Sequence, residues 1–348
     1  MATTLGLDFD SSDPNTAFTS LTSFRSVRNC VKLHGSTFLA SNDTHHIRVF
    51  DADTGHLKYV LRVPLLNDDP TLHPEEFRCL AAIVMEGFVL IFRQQWIHLY
   101  PLPPSQAEKA EPNSSAQYVP GILPVANHKW QWHIDTLDVI RQQSHPLMSQ
   151  FENETNLIAA SAPPMSLLLR FDSWFPWPVN ILHQFILPHN PAFNPSASAP
   201  AGTELPYLLS SLSSEPLRPY VVASIPSPIR IFTPSDSILG RHGTALWLDA
   251  QTDLSTPSQA GDRGQRIAGK HLRFDSYRHA AIEEPRHAVD LHVESSTNFH
   301  AYEDGSTSQI QIFHTQDEDN WGRLAVCEEE GILAVGSVDG KILIYEYA

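Results

Sequence analysis

The chain has 348 residues, of which 42% are hydrophobic and 18% are charged, and its formal net charge is −16. The hydrophobic fraction is sufficient for a sizeable core, and no apolar run has the length of a membrane-spanning helix. The excess of 39 acidic over 23 basic residues disfavours nucleic acid and anionic membranes as ligands, because both are bound through Lys and Arg. A partner recruited by charge would therefore be basic.

The amino terminus and the cysteines indicate a location inside the cell. Residues 1–20 are expected to form a flexible segment, and they carry acids where a signal peptide would be basic and then apolar. Cys30, Cys79 and Cys327 are odd in number and far apart, each in or beside an apolar run. We expect buried, reduced thiols and a cytoplasmic or nuclear protein.

Short runs rich in β-branched and aromatic residues recur along the chain, whereas amphipathic helical patterns are not convincing. The first is a hairpin that ends near Phe50. The remaining predicted strands are 57–62, 77–85, 87–92, 96–100, 134–140, 156–161, 166–171, 180–187, 206–212, 220–225, 228–232, 244–249, 271–274, 286–293, 309–314, 323–327, 332–337 and 341–345. Grouped in fours, they predict an all-β fold, a β-propeller of six four-stranded antiparallel blades, with seven as the alternative. Residues 21–348 would form this single domain.

The proline-rich segments 101–120, 188–206 and 250–269 predict surface loops between strands. Proline lacks an amide donor and does not fit a central strand. The outermost strands of successive blades are expected to end near Phe50, Tyr100, Phe171, Phe232 and Tyr345.

One pattern occurs near both ends of the chain. A strand of small residues leads through a polar turn into a β-branched strand that closes on an aromatic residue and an acid, Phe50-Asp51 in one copy and Tyr345-Glu346 in the other. In the second copy the turn is Asp339-Gly340, and both of these residue types tolerate the positive φ of a tight hairpin. The pattern is an internal repeat, which favours one closed architecture.

The segments that begin at Leu39 and Leu333 resemble the third and fourth strands of a WD repeat, with Phe50-Asp51 and Tyr345-Glu346 in the Trp-Asp position. The usual Gly-His pair is missing at both ends. The resemblance implies a propeller used as a docking surface. Residues 243–249 and 323–334 also resemble the C-terminal portion of fungal F-box proteins with WD-like propellers. That family implies association with the Skp adaptor and a cullin ligase, if an F-box is supplied elsewhere, since residues 1–30 show none.

Chemistry-bearing patterns are weak. Five residues separate His287 from His292 in a predicted strand, so their side chains would project to opposite faces. No zinc-finger spacing, nucleophile elbow or complete phosphate loop is found in the sequence, so we expect no metal, no cofactor and no catalytic residue. The alternative is a propeller hydrolase or lactonase whose channel metal is held by acids near strand ends, of which the sequence offers Asp51, Asp249, Asp275 and Asp290.

Aromatic and acidic clusters are the better candidates for partner contact. Trp174, Phe175 and Trp177 lie between prolines in a predicted loop, where exposed rings would form a binding site. A second pair, Trp130 and Trp132, would lie on one face of a strand and be buried between blades.

The acidic runs 317–319 and 328–330 are expected to be solvated turns, with an acidic rim for a basic peptide as the alternative. The sequence thus predicts a non-catalytic protein-protein interaction platform that binds a protein or peptide, with a substrate-receptor-like role as its more specific form.

Overall fold

The computed structural model describes residues 2–7, 18–24, 27–42, 45–64, 74–103, 119–142, 163–172, 180–190, 193, 205–209, 218–229, 235–251, 264–272 and 310–347. These residues form twenty-two strands and a 3-10 helix, Pro74–Phe77. No helix in these ranges has the length and apolar character needed to cross a membrane. The chain divides into two compact units, Met1–His133 with Leu209–Ser211, and Ile134–Leu208 with Leu212–Ala348.

The first unit begins with a two-stranded sheet and contains two larger sheets, which we call blades 1 and 2. The small sheet pairs β1 (Ala2–Leu7) with β2 (Phe18–Phe24). Blade 1 is the antiparallel series β3 (Asn29–His34), β4 (Thr37–Ser41), β5 (Ile47–Asp51) and β6 (Leu57–Leu61). Blade 2 comprises β7 (Cys79–Met85), β8 (Phe88–Arg93), β9 (Trp96–Pro101) and β11 (Ala126–Lys129), while β10 (Gly121–Ile122) pairs in parallel with β6.

The second unit contains three sheets, blades 3 to 5. Blade 3 is β12 (Ile134–Arg141), β13 (Met165–Phe171), β14 (Ile181–Leu187) and β15 (Tyr220–Pro226). Blade 4 is β16 (Ser237–Leu239), β17 (Thr244–Ala250), β18 (Gln265–His271) and β19 (Gln311–Gln316). Blade 5 has three strands, β20 (Trp321–Cys327), β21 (Ile332–Ser337) and β22 (Ile342–Glu346).

The predicted fold class is confirmed, since the described residues are nearly all-β and form antiparallel propeller blades, four of which have four strands. Five blades are found in the described part of the chain, and the number of six or seven stays a prediction. Each blade runs from its first strand outward in chain order, and the first strands of neighbouring blades within a unit lie against each other.

Blade 4 shows how strand alternation builds the core. Ala245 and Trp247 of β17 pack toward blade 3, whereas Leu246 and Leu248 pack toward blade 5. Successive residues of a strand face opposite sides of the sheet. A run of consecutive apolar residues therefore covers both faces of a strand buried between two blades.

Two carboxylates join the first strands of blades 3, 4 and 5 in the same way. Asp138 of β12 accepts a hydrogen bond from the Leu239 amide of β16 at 2.7 Å. Asp236, directly before β16, accepts one from the Leu324 amide of β20 at 2.8 Å. Each carboxylate satisfies a backbone donor of the next blade, so the pair fixes the stagger of successive blades.

Several local expectations are wrong. The segment from Pro206 to Leu209 is not a strand; its apolar pattern instead reflects burial, as Tyr207 is inaccessible to solvent. β18 lies largely within the segment that its prolines predicted to be a loop, and Phe77 belongs to the 3-10 helix. The strand that ends near Phe50 is not outermost, because β6 pairs outside it. The predicted strands 156–161 and 286–293 lie outside the described residues.

The amino-terminal segment contains regular structure in both of its described parts. β1 lies within the segment expected to be flexible, and Phe24 at the end of β2 packs on Phe38 and Phe50 of blade 1, with ring centroids 4.6 and 5.0 Å away. The flexibility of residues 1–20 and the single-domain assignment stay predictions.

Candidate docking surface

β22 of blade 5 has one unpaired edge. The Ser337 amide donates to the Lys341 carbonyl at 2.9 Å, and the Tyr347 amide donates to the Gly331 carbonyl at 2.7 Å. Because antiparallel ladders alternate, Leu343 and Tyr345 also bond to β21, while the amides and carbonyls of residues 342, 344 and 346 point outward. No strand in the described ranges pairs with this edge.

The side chains along this edge are apolar and exposed. Ile342 is 70% exposed, Ile344 60%, and Val338 in the preceding turn 67%. The opposite face of the same sheet is covered, because Leu333 and Val335 pack with Leu246 and Leu248 of blade 4. Blade 5 therefore has one face in the core and one open to solvent.

β19, the last strand of blade 4, contacts blade 5 on its covered face. The His314 ring on β19 lies 5.0 Å from the Tyr345 ring and 5.8 Å from the Trp321 ring. Ile312 and Phe313 on the same strand are exposed. They belong to blade 4, whereas Val338, Ile342 and Ile344 lie on one hairpin of blade 5, and we call these three residues the docking surface. Contiguous exposed apolar side chains of this kind mark interaction sites.

Carboxylates lie at both ends of β22. At its end, burial raises the pKa of Tyr347, and the charges of Glu328 and Glu329 add to that rise. At its start, the Lys341 ammonium lies 2.7 Å from Asp339, whose hydrogen bond raises the pKa of Lys341, and the charge of Glu318 adds to this effect. The docking surface is thus flanked by negative charge on both sides.

One of these acids also has a structural role. Glu328 accepts hydrogen bonds from the amides of His242 and Thr244, at 2.6 and 3.0 Å, and Glu329 lies 3.4 Å from the Arg241 guanidinium. Both acidic runs are turns, as the sequence predicted. Glu328, however, is bound to the β16–β17 turn of blade 4 and is not simply solvated.

The Asp339-Gly340 turn closes the β21–β22 hairpin. Gly340 has a φ of +83°, which the sequence anticipated, and the Ser337 hydroxyl donates to Asp339. Tyr345 is half-buried on the covered face and Glu346 is exposed on the open face.

In blade 1 the residues that correspond to Tyr345 and Glu346 are Phe50 and Asp51, and both make contacts with other residues of this chain. Phe50 is buried against Phe24 and Phe38. Asp51 accepts hydrogen bonds from the Asp53 and Thr54 amides and lies 2.8 Å from Lys58, whose bond to the carboxylate lowers the pKa of Asp51. Asp51 thus organises the turn between β5 and β6.

Asp249 lies in a buried polar network between blades 3 and 4. Arg170 donates to the Ser227 hydroxyl, which donates to Asp249 at 2.6 Å, and Arg266 approaches the other carboxylate oxygen at 3.3 Å. Burial raises the pKa of Asp249, and its bonds to Ser227 and Arg266 oppose that rise. Both carboxylate oxygens of Asp249 therefore accept hydrogen bonds from side chains of this chain. Asp275 and Asp290 lie outside the described residues.

Two of the described histidines, His45 and His46, form hydrogen bonds with other residues of this chain. His46 accepts a hydrogen bond from the Val63 amide through Nδ1 at 3.0 Å, and the His45 carbonyl accepts one from Arg93 at 2.8 Å. Across the ranges that the structure covers, no three His, Cys, Asp or Glu residues are placed to hold a metal ion. His287 and His292 fall outside those ranges.

The aromatic candidates have different outcomes. Trp174, Phe175 and Trp177 lie outside the described residues, so their role as a partner site stays a prediction. Trp130 and Trp132 do not share a strand face, because β11 ends at Lys129 and both follow in a bend. Trp130 is buried, and its ring meets His128 edge-on at 5.1 Å.

The cysteines fit the expectation in part. Burial raises the pKa of the Cys79 thiol to about 11, whereas Cys327 is exposed. β20 presents Cys327 on the open face of blade 5, so the expectation of burial is wrong there.

The sequence did not reveal the docking surface. A β-branched strand that ends in an aromatic residue normally indicates a covered strand, and β22 differs because the face that carries Ile342 and Ile344 is open in the described structure. The sequence feature that points to this surface is the β21–β22 hairpin, which is the second copy of the repeat pattern.

Comparison with known proteins gives structural similarity alone. No family model and no curated protein matches the chain. The WD40 domain of SCAP from fission yeast is 10% identical, with a TM-score of 0.39, over 90% of this chain and 50% of that one. The fission yeast SREBP-SCAP binding domains are 11% identical, with a TM-score of 0.38, over 92% and 61%. BamB from Moraxella catarrhalis is 10% identical, with a TM-score of 0.34, over 90% and 68%. The chain thus spans half to three fifths of the two SCAP structures.

Proposed function

We propose that this protein is a non-catalytic interaction module that binds a protein partner through the docking surface on blade 5. The observation that carries the proposal is the pair Ile342 and Ile344, mostly exposed on a strand whose edge is unpaired. Exposure of large apolar side chains beside unpaired backbone groups is unfavourable in water, and a bound partner relieves both costs. A receptor role in ubiquitin transfer is the more specific form of this hypothesis.

The test is affinity purification of the tagged protein from its native cells, with quantitative mass spectrometry. We expect a stoichiometric partner that is lost when Ile342→Lys and Ile344→Lys are combined. The matched control is Leu123→Lys with Val125→Lys, two exposed apolar residues between β10 and β11. The control should keep the partner.

Circular dichroism and thermal melts of both variants show whether the fold survives. Retention of every partner by the folded Ile342/Ile344 variant would refute the assignment of the surface. Skp adaptor and cullin among the lost proteins would support the receptor role, and their absence would leave the interaction module without it.

A further inference from the structure

The free edge of β22 presents backbone groups as well as side chains. The amides and carbonyls of Ile342, Ile344 and Glu346 point outward and have no backbone partner in the described chain. An exposed strand edge of this kind is a template for a further strand, whose main-chain groups complete the ladder. The blades that precede it have a fourth strand at this position, and blade 5 ends at three.

The charges around the edge select among possible strands. From residue 317 to 347 the chain has eight carboxylates and two basic side chains, Arg323 and Lys341. Lys341 is paired with Asp339, and Arg323 approaches Asp236 at 3.6 Å. The acids lie at the two ends of β22, because the Tyr347 amide donates to the Gly331 carbonyl after the run 328–330, and the Val338 amide donates to the Asn320 carbonyl after the run 317–319.

We propose that the free edge of β22 binds an extended segment of another protein, in which alternating apolar residues are flanked at both ends by Lys or Arg. This inference rests on the proposed function and specifies the partner's chemistry. The apolar residues of the segment would cover Ile342 and Ile344, and its backbone would pair with theirs. A strand of five residues spans about 17 Å, so the two basic ends lie about that far apart.

A pair of synthetic peptides tests the charge requirement. The probe is fluorescein-labelled Lys-Lys-Ile-Thr-Val-Thr-Ile-Lys-Lys, and its control has Glu in place of each Lys. Fluorescence anisotropy at low ionic strength should show the basic peptide binding at least about tenfold more tightly, with the difference shrinking as salt is added. Equal affinity for the two peptides, or no binding of the basic one, would overturn the inference.

Two protein variants test the geometry. Ile344→Pro removes an outward amide and leaves the bonds between β21 and β22 intact, so it should abolish binding, whereas Ile344→Val keeps the amide and should bind normally. Glu318→Lys combined with Glu330→Lys reverses one exposed charge at each end of the edge, so it should weaken binding of the basic peptide and strengthen binding of the acidic one. The charge variant keeps the test decisive if the proline variant does not fold.

Hydrogen exchange separates this inference from the alternative occupants. In the free protein the amides of Ile342 and Ile344 should exchange rapidly and become protected when the basic peptide binds. Protection in the free protein would mean that the chain itself or a second copy already covers the edge, which would refute the inference. The affinity purification is independent of this result, because it depends on the side chains and not on strand pairing.

Discussion

His98 in β9 should make the protein less stable as the pH falls. The side chain is buried, and its ring lies 5.7 Å from Trp96, 6.0 Å from Tyr100 and 6.3 Å from Phe77. Burial, with a smaller contribution from the charge of Arg93, lowers the pKa of His98 from 6.5 to about 3. The folded state therefore holds a neutral imidazole at a pH where the unfolded chain binds a proton.

The sign and size of the effect follow from proton linkage. Because the folded pKa is the lower one, stability is present above pH 6.5 and is lost as the pH falls toward 3. Each pH unit below 6.5 is worth about 1.4 kcal/mol, so His98 alone removes about 3 kcal/mol between neutral pH and about pH 4.5. His98→Phe replaces the ring with an apolar ring that does not titrate, and it should lose less stability over this interval by about that amount.

Urea unfolding at the two pH values measures the difference directly. Any cost of the substitution at neutral pH cancels, because each protein is compared with itself. His34→Phe, at an exposed position on β3, is the control and should behave as the parent protein does. If His98→Phe loses as much stability as the parent on acidification, His98 does not remain neutral in the folded protein, and the reasoning fails.

Two further pairs of substitutions each test one contact within a unit by their effects on stability. Asp236→Ala leaves the Leu324 amide without its acceptor and should lower the free energy of unfolding by about 1–3 kcal/mol. Asp236→Asn keeps an oxygen there and should lower it less. Equal losses for the two variants in urea unfolding would mean that the bond is unimportant. Gly55→Val and Gly87→Val both impose a β-branched side chain at a positive φ, +72° and +71°. Only at Gly55 would the new Cβ lie within 2.5 Å of Thr22, so Gly55→Val should be the more destabilising of the two, by thermal melting, and similar melting temperatures would contradict the placement of Thr22.

The sequence predicted those parts of the fold that local pattern determines. The short apolar run at Thr244–Ala250 and the glycine turn at Gly340 identify a strand and a hairpin, because residue type along a run and positive φ are properties of adjacent residues. β18 was missed for the same reason. Residues Gln265–His271 are mostly polar or small, so their pattern does not indicate a strand. β18 is a central strand because β17 and β19 of blade 4 pair with it on either side.

Contacts between distant residues could not be predicted from pattern. Arg170, Ser227 and Asp249 come together across two blades, and nothing in the residues around each one indicates the others. The hydrogen bond that Asp236 accepts could not be predicted either, since it depends on where β20 begins. Such groups are recognised only when the packing of the blades is known.

The docking surface shows that burial of a strand's side chains depends on the sheet that packs on its face and not on the strand's own sequence. Ile47 and Val49 of β5 occupy the same places in the repeat as Ile342 and Ile344 of β22, and all four are β-branched. The first two are almost inaccessible to solvent, and the second two are largely exposed. Ile47 and Val49 pack against Ala82 and Val84 of blade 2, whereas Ile342 and Ile344 lie on the open face of blade 5, at a strand whose edge is also unpaired. A sequence suited to a covered strand is thus placed at an open edge, and this mismatch is why blade 5 is the part of the molecule where a partner strand gains most by binding.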